Sequence, residues 1–197
     1  MSETFNPLQW IQSLPEAQDA ALHPERIHLA KKLPPVHTWN PPCCGDIPMR
    51  IDRQGIWYYQ NSPITRHRMV QLFSRILRRD DDGCYYLVTP VEKVRIQVDD
   101  TPFVATQVIK QKEADIQQLI FTTQIGDVVT LNAQHLLRIE QQKNQSVPYL
   151  LIRDRLEARL HRNVYYQLVE WAIPSIINDQ IIGVNSDGLF FELGAIN

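Results

Sequence analysis

The sequence predicts an α+β protein made of two related antiparallel β-rich modules. Each carries one principal helix, and a helical, Pro-rich arm precedes them. Three observations predict this. Val94, Ile96 and Val98 alternate with Arg95, Gln97 and Asp99, the period of two of a half-buried antiparallel strand. A frame of polar turn, glycine, one aliphatic or Cys residue and two aromatics occurs at Asp52–Tyr58, Asp80–Tyr86 and Asn185–Phe191. Its glycine supplies positive φ and its aromatics start a strand. Finally, Ile64-Thr65-Arg66-His67-Arg68-Met69-Val70-Gln71-Leu72 matches Leu160-His161-Arg162-Asn163-Val164-Tyr165-Tyr166-Gln167-Leu168 at an offset of 96 residues, with Arg, Gln and Leu identical. That match is the mark of internal duplication.

At 197 residues the chain accommodates one domain or two small ones. The expected divisions are an arm over residues 1–45, a first β-helix-β module over 46–98 and a second β-rich module over 99–197. Eight of the 13 prolines lie between Pro7 and Pro48, which sets the arm apart. Asn6-Pro7 reads as a cap and first helical position, with Leu8, Ile11 and Leu14 on one face and Pro15 as the stop. A second helical stretch runs from Pro24 to Lys32. Leu33-Pro34-Pro35 to Pro42 is extended or turning, because each proline restricts its own φ and its predecessor. Trp10 and Trp39 are the expected anchors of the arm.

In the modules, further strands are expected at Phe103–Ile109, Gln118–Thr122, Val128–Leu131 and Leu136–Glu140, with Gly126-Asp127 as a tight turn. Helices are expected from Thr65 to Arg79 and from His161 to Ile173. The first collects Met69, Val70, Leu72, Phe73, Ile76 and Leu77 on one arc, opposite a solvated stripe of Arg68, Arg75 and Arg79. The second leaves only Asn163, Gln167 and Glu170 as a polar strip. It suits the centre of the molecule, a module junction or a homo-oligomer contact.

Lys and Arg total 20 against 22 Asp and Glu, so no net positive field draws in nucleic acid or anionic lipid. Hydrophobic residues at 44% and charged residues at 21% fit a folded globule. No run of about 18 apolar residues occurs, and MSETFNPLQW lacks a basic start followed by an apolar core. No membrane span or secretion signal is expected, and three cysteines, an odd and sparse set, fit the reducing cytoplasm. His37, Cys43 and Cys44 lack the spacing of a zinc site. GxSxG, P-loop, GxGxxG and HExxH patterns are absent, so neither a metal, a cofactor nor a catalytic residue is assigned. Catalysis by dispersed residues is the least favoured alternative.

Arg66 and Arg162 each stand where a helix begins, against the macrodipole's preference for anions there. Two readings follow. Either an internal carboxylate, with Glu92 and Glu157 as partners, holds each arginine, or a bound anion does.

The segments Trp39–Ile51, Gly55-Ile56-Trp57-Tyr58, Ser62-Pro63-Ile64-Thr65-Arg66, Leu87–Lys93, Asp100–Ala105 and Leu156–Leu160 together resemble the bacterial family catalogued as domain of unknown function 1285. The resemblance spans Trp39 to Phe191; Cys43 and Asn61 are local departures from it. It implies a duplicated α+β core whose C-terminal half is superficially like a pleckstrin-homology barrel capped by a helix. It also implies a ligand site at the junction of the halves, for a nucleotide-like molecule, and a role in signal transduction. The candidate ligand-binding residues are then Arg50, Trp57, Arg66, Thr89, Glu92, Arg162 and Tyr165. Trp57 or Tyr165 would stack on a base, an arginine would meet phosphate, and Thr89 and Glu92 would meet sugar or base edges. For Thr89–Glu92 the alternative is a Pro-bent edge strand with a structural ion pair. The resulting expectation is a non-catalytic regulatory or sensor protein that binds a small anionic ligand. A protein-interaction adaptor without a small ligand is the alternative.

Overall fold

A computed structural model describes residues 33–142 and 145–195. The expected helices before Lys32 and the anchor Trp10 fall outside the described residues. The chain forms two compact units: residues up to Arg50 with Trp57–Gln97, and Ile51–Ile56 with the chain from Val98 onward.

The first unit opens on a short 3-10 turn, Val36–Thr38, with Val36 buried. Its six strands are β1 (Cys43–Ile51), β2 (Trp57–Tyr59), β3 (Ser62–Pro63), β4 (Leu77–Arg79), β5 (Tyr85–Val88) and β6 (Lys93–Val98), with α1 (His67–Arg75) between β3 and β4. They form one sheet in the order β3-β2-β1-β6-β5-β4. The strands β1 and β6 run parallel, since Lys93 N–H bonds Pro42 O at one end and Asp99 N–H bonds Ile51 O at the other. Alternation in β6 buries Val94 and Ile96 and exposes Arg95 and Gln97, as the sequence pattern requires. Buried Val70 and Phe73 fix α1 to the core.

That helix is shorter than periodicity predicts. It ends at Arg75, and Leu77–Arg79 pair with Leu87–Tyr85 as a hairpin strand. Leu77 lies four residues beyond Phe73, so its burial satisfies a helical stripe and a strand equally well. The turn decides. Gly83 sits at φ +80°, and Asp80 N–H bonds Cys84 O, closing a hairpin that needs a strand on its upstream side.

The second unit holds β7 (Phe103–Glu113), β8 (Ile116–Thr123), β9 (Val128–Thr130), β10 (Leu137–Gln142), β11 (Gln145–Arg153) and β12 (Leu156–Leu160) in the order β10-β11-β12-β7-β8-β9. Its plan matches that of the first sheet. Two three-stranded runs are joined because the first strand of one and the last of the other, β7 and β12, pair in parallel. Phe103, Leu119, Phe121, Tyr149, Leu150 and Ala158 fill its core. The expected strands in this stretch are present, most of them longer than the alternation suggested, and Gly126 takes positive φ in the turn anticipated for it. Gly55 also belongs to this unit. It lies at φ +77°, and a Cβ there would stand 2.5 Å from Gln124 Nε2. Gln124 is itself fixed by Val104 N–H at 2.7 Å.

After β12 come α2 (Arg162–Glu170) and a three-stranded sheet, β13 (Ile173–Pro174), β14 (Ile181–Ser186) and β15 (Leu189–Ala195). Here too the helix ends early, because Pro174 biases Ile173 toward extended backbone. Within one copy of the chain α2 is covered on one side alone, so it is not a central helix. Only Val164 and Leu168 are buried, while Tyr166 and Val169 are exposed. The offset of 96 residues reaches further than the nine matched positions. A strand, a helix and three strands recur from β3–α1–β4–β5–β6 to β12–α2–β13–β14–β15. In the second unit β15 packs beside β10, the place that corresponds to β6 beside β1.

Candidate functional site

The first turn of α1 carries Arg66 at the N-cap, then His67 and Arg68, all exposed. The sequence folds this way because Arg66 keeps an extended backbone, φ −77° and ψ 98°, while its carbonyl accepts the first helical bonds from Met69 and Val70. No side chain caps this end, and no acidic residue lies in the first turn. The unbonded N–H groups and the dipole therefore add positive potential to two guanidinium groups and an imidazole.

The arrangement stands out against the other arginines. Arg78 meets Asp80, Arg95 meets Asp46, Arg138 meets Glu157 and Glu140, Arg153 meets Asp127, and Arg159 meets Asp100. Arg50 and Arg79 lie over Tyr58 and Tyr85, and Arg75 and Arg155 are also engaged. Among the described residues Arg53, Arg66, Arg68 and Arg162 remain without such a partner, and three of these four stand at helix starts. The carboxylates named as internal partners serve elsewhere. Glu157 accepts from Arg138 Nε at 2.6 Å and Nη2 at 2.8 Å. Glu92 acts on Cys44, where burial first and then the Glu92 carboxylate raise the thiol above its ordinary range.

The other candidates separate by environment. Trp57 is 1% exposed and stacks on Phe73 with centroids 5.8 Å apart, so it is a core residue and offers no face to a base. Its Nε1 is buried with no hydrogen-bond partner. Thr89 is also buried. Its hydroxyl donates to Glu92 O and accepts from Glu92 N–H, both at 3.1 Å, closing the turn around Pro90. That hydroxyl is committed to the backbone. Arg50 is half-buried, its guanidinium 4.7 Å over the Tyr58 ring. Glu92 is half-buried in the same unit. In the second unit Arg162 is exposed at the first position of α2. Half-buried Tyr165 donates to Leu193 O at 3.5 Å, and burial raises its hydroxyl.

Two arrangements are not legible in the sequence. Periodicity puts Arg68 in a solvated stripe, although the helix start places it with Arg66 and His67. A polar row also crosses β10, β11 and β12, where Arg138, Tyr149 and Arg159 are register neighbours. The Tyr149 hydroxyl donates to Asp100 at 2.9 Å and accepts from Gln142 Nε2 at 2.9 Å, and Arg138 covers its ring at 4.3 Å. Only strand register reveals such a row.

Burial and the Asp100 carboxylate push the Tyr149 hydroxyl up to about 12 from an ordinary 10. The folded state thus holds this proton more tightly than the unfolded chain. Its contribution to stability is complete below pH 10 and is lost as pH rises toward about 12. Alkaline unfolding followed by tyrosinate absorbance should show this decline, and Tyr149→Phe should flatten it. An unchanged slope would detach Tyr149 from it.

Among the described residues no group of three His, Cys, Asp or Glu side chains is placed to hold a metal. None of the described helices is long and apolar enough to cross a membrane.

These observations define the class: a two-unit, strand-rich α+β protein whose candidate site is a cationic helix start. Two family models cover it in tandem, the N-terminal domain of DUF1285 over residues 34–101 and the C-terminal domain of DUF1285 over residues 102–193. The chain belongs to the DUF1285 family, whose models describe domains of unknown function. A DUF1285 family protein from Silicibacter pomeroyi DSS-3 is 43% identical, with 84% of this chain and 90% of that one covered at a TM-score of 0.78. Another, from Shewanella baltica OS155, is 28% identical over 63% of this chain and 91% of its own, with a TM-score of 0.50. No curated protein matches the chain.

Proposed function

We propose that the protein is a non-catalytic regulatory protein that binds a small anionic, phosphate-bearing ligand at the start of α1. The supporting observation is the gathering of Arg66, His67 and Arg68 at an uncapped helix start, with no acidic residue in its first turn. Phosphate oxygens would accept from the free backbone N–H groups and from the arginines, neutralising a site whose own charges repel. Nucleotides are one class of such ligand, and the signalling role implied by the family resemblance fits a protein that reports their concentration. Free thiols at Cys43, Cys44 and Cys84 support a cytoplasmic setting. The recurrence of a strand, a helix and three strands supports descent by duplication. The six strands β7–β12 followed by α2 support the pleckstrin-homology-like reading of the second unit, with β13–β15 as an addition.

The test is thermal unfolding in inorganic phosphate and in nucleoside monophosphates, against chloride at matched ionic strength. The expected result is a rise in Tm that grows with ligand and shrinks in the Arg66→Ala/Arg68→Ala variant. Phosphate also stabilises proteins without binding them. An equal rise in wild type and variant, or no rise, would therefore contradict the proposal.

A further inference from the structure

The second unit leaves an apolar surface along α2 and beyond it. With Val164 and Leu168 buried, the exposed arc of the helix centres on Tyr166, which is 59% exposed. Val169 and Ile173, at 41% and 44%, continue it, and the turn after β13 carries the fully exposed Ile176 and Ile177. Arg162 and Glu170 lie one turn before and one turn after Tyr166, each within about 40° of it at 100° per residue. Neither has an ion-pair partner among the described residues.

We propose that this face is an isologous dimer interface, in which α2 packs antiparallel on α2 of a second copy. The charges on this face are self-complementary: cation, aromatic and anion stand at i−4, i and i+4, so the order is the charge complement of its own reverse. A two-fold axis at Tyr166 brings Arg162 of each copy to Glu170 of the other. The antiparallel arrangement also sets the two macrodipoles in opposition. Both unpaired charges then find partners, and Tyr166, Val169 and Ile173 are withdrawn from water. A lipid surface fits less well, because Glu170 and Asp179 border the apolar residues and an anionic membrane repels them. The interface is independent of the anion site, which rests on α1.

Sedimentation equilibrium of the full chain tests the interface. The wild type should sediment as a dimer at about 0.1 mM, a concentration between the millimolar and micromolar dissociation constants of weak association. Arg162→Glu and Glu170→Arg should each raise the dimer dissociation constant about tenfold or more by placing like charges together. The double variant Arg162→Glu/Glu170→Arg should restore the dimer. Both side chains are exposed, so circular dichroism should find all three variants folded. A monomeric wild type, indifference to both single reversals, or failure of the double variant to recover would overturn the proposal. So would a monomer that co-sediments with phosphatidylcholine–phosphatidylserine vesicles and loses that binding in Ile176→Asp.

Discussion

Replacing Arg78 with alanine should cost the first unit about 3 kcal/mol, one of the largest effects expected of any single change. Its side chain is 15% exposed and holds three groups at once. Nε donates to Asp80 at 2.6 Å, and Nη1 donates to Val36 O at 2.7 Å and Trp39 O at 2.6 Å. Alanine leaves both carbonyls without this donor and leaves Asp80 with Lys93 at 2.7 Å as its remaining cation. Desolvated groups left unpaired carry most of that cost. For a chain of this size the corresponding fall in Tm is about 6–12 °C by calorimetry. The loss also has a location. Chymotrypsin should cut after Trp39 faster in Arg78→Ala than in wild type, because the 3-10 turn and its flanks lose their tie to β4. A Tm within about 1 °C of wild type would show that the arginine contributes little.

Ser186→Ala should cost about 2–3 kcal/mol in the second unit, a large effect for the loss of one oxygen. Ser186 is fully buried at the end of β14. Leu131 N–H bonds Leu119 O at 2.9 Å, as a ladder neighbour should. The reciprocal bond is replaced by the serine hydroxyl, which accepts from Leu119 N–H at 2.9 Å and donates to Leu131 O at 2.6 Å. Alanine strands a donor and an acceptor among residues with no solvent access, Leu119 and Leu131 being fully buried. Equilibrium urea unfolding measures the loss as a lower midpoint at unchanged slope. A change below about 0.5 kcal/mol would mean that the strands close up and make the missing bond directly.

Much of the strand framework is legible in the sequence, and the reason is local. Alternation in Val94–Val98 and the three glycine frames are decided by neighbours within a few residues, and Gly55, Gly83 and Gly188 all take positive φ. The helix at Arg66 and its counterpart at Arg162 are legible for the same reason. Their ends are not, because Leu77 and Ile173 fit a helical stripe, and only the pairing of Leu77 with Leu87 and of Ile173 with Gly183 makes them strand residues. The candidate site divides along the same line. Arg66 is recognisable from its conflict with the helix dipole. Trp57 looks like a stacking platform until its burial against Phe73 is known, and Thr89 looks like a ligand group until its hydroxyl is found closing a turn. Arg78 resembles its solvated neighbours in sequence, yet its partners Val36 and Trp39 lie some forty positions away. Long-range pairing of that kind leaves no periodic trace.

The cationic start of α1 is tested most directly by amide NMR of the full chain during titration with inorganic phosphate. The N–H groups of His67 and Arg68, which face the free end of the helix, should show the largest saturable shifts. Those shifts should be lost in Arg66→Ala/Arg68→Ala while the rest of the spectrum is preserved. Shifts that grow linearly without saturating, or that saturate at residues remote from α1, would contradict the assignment of an anion to this site.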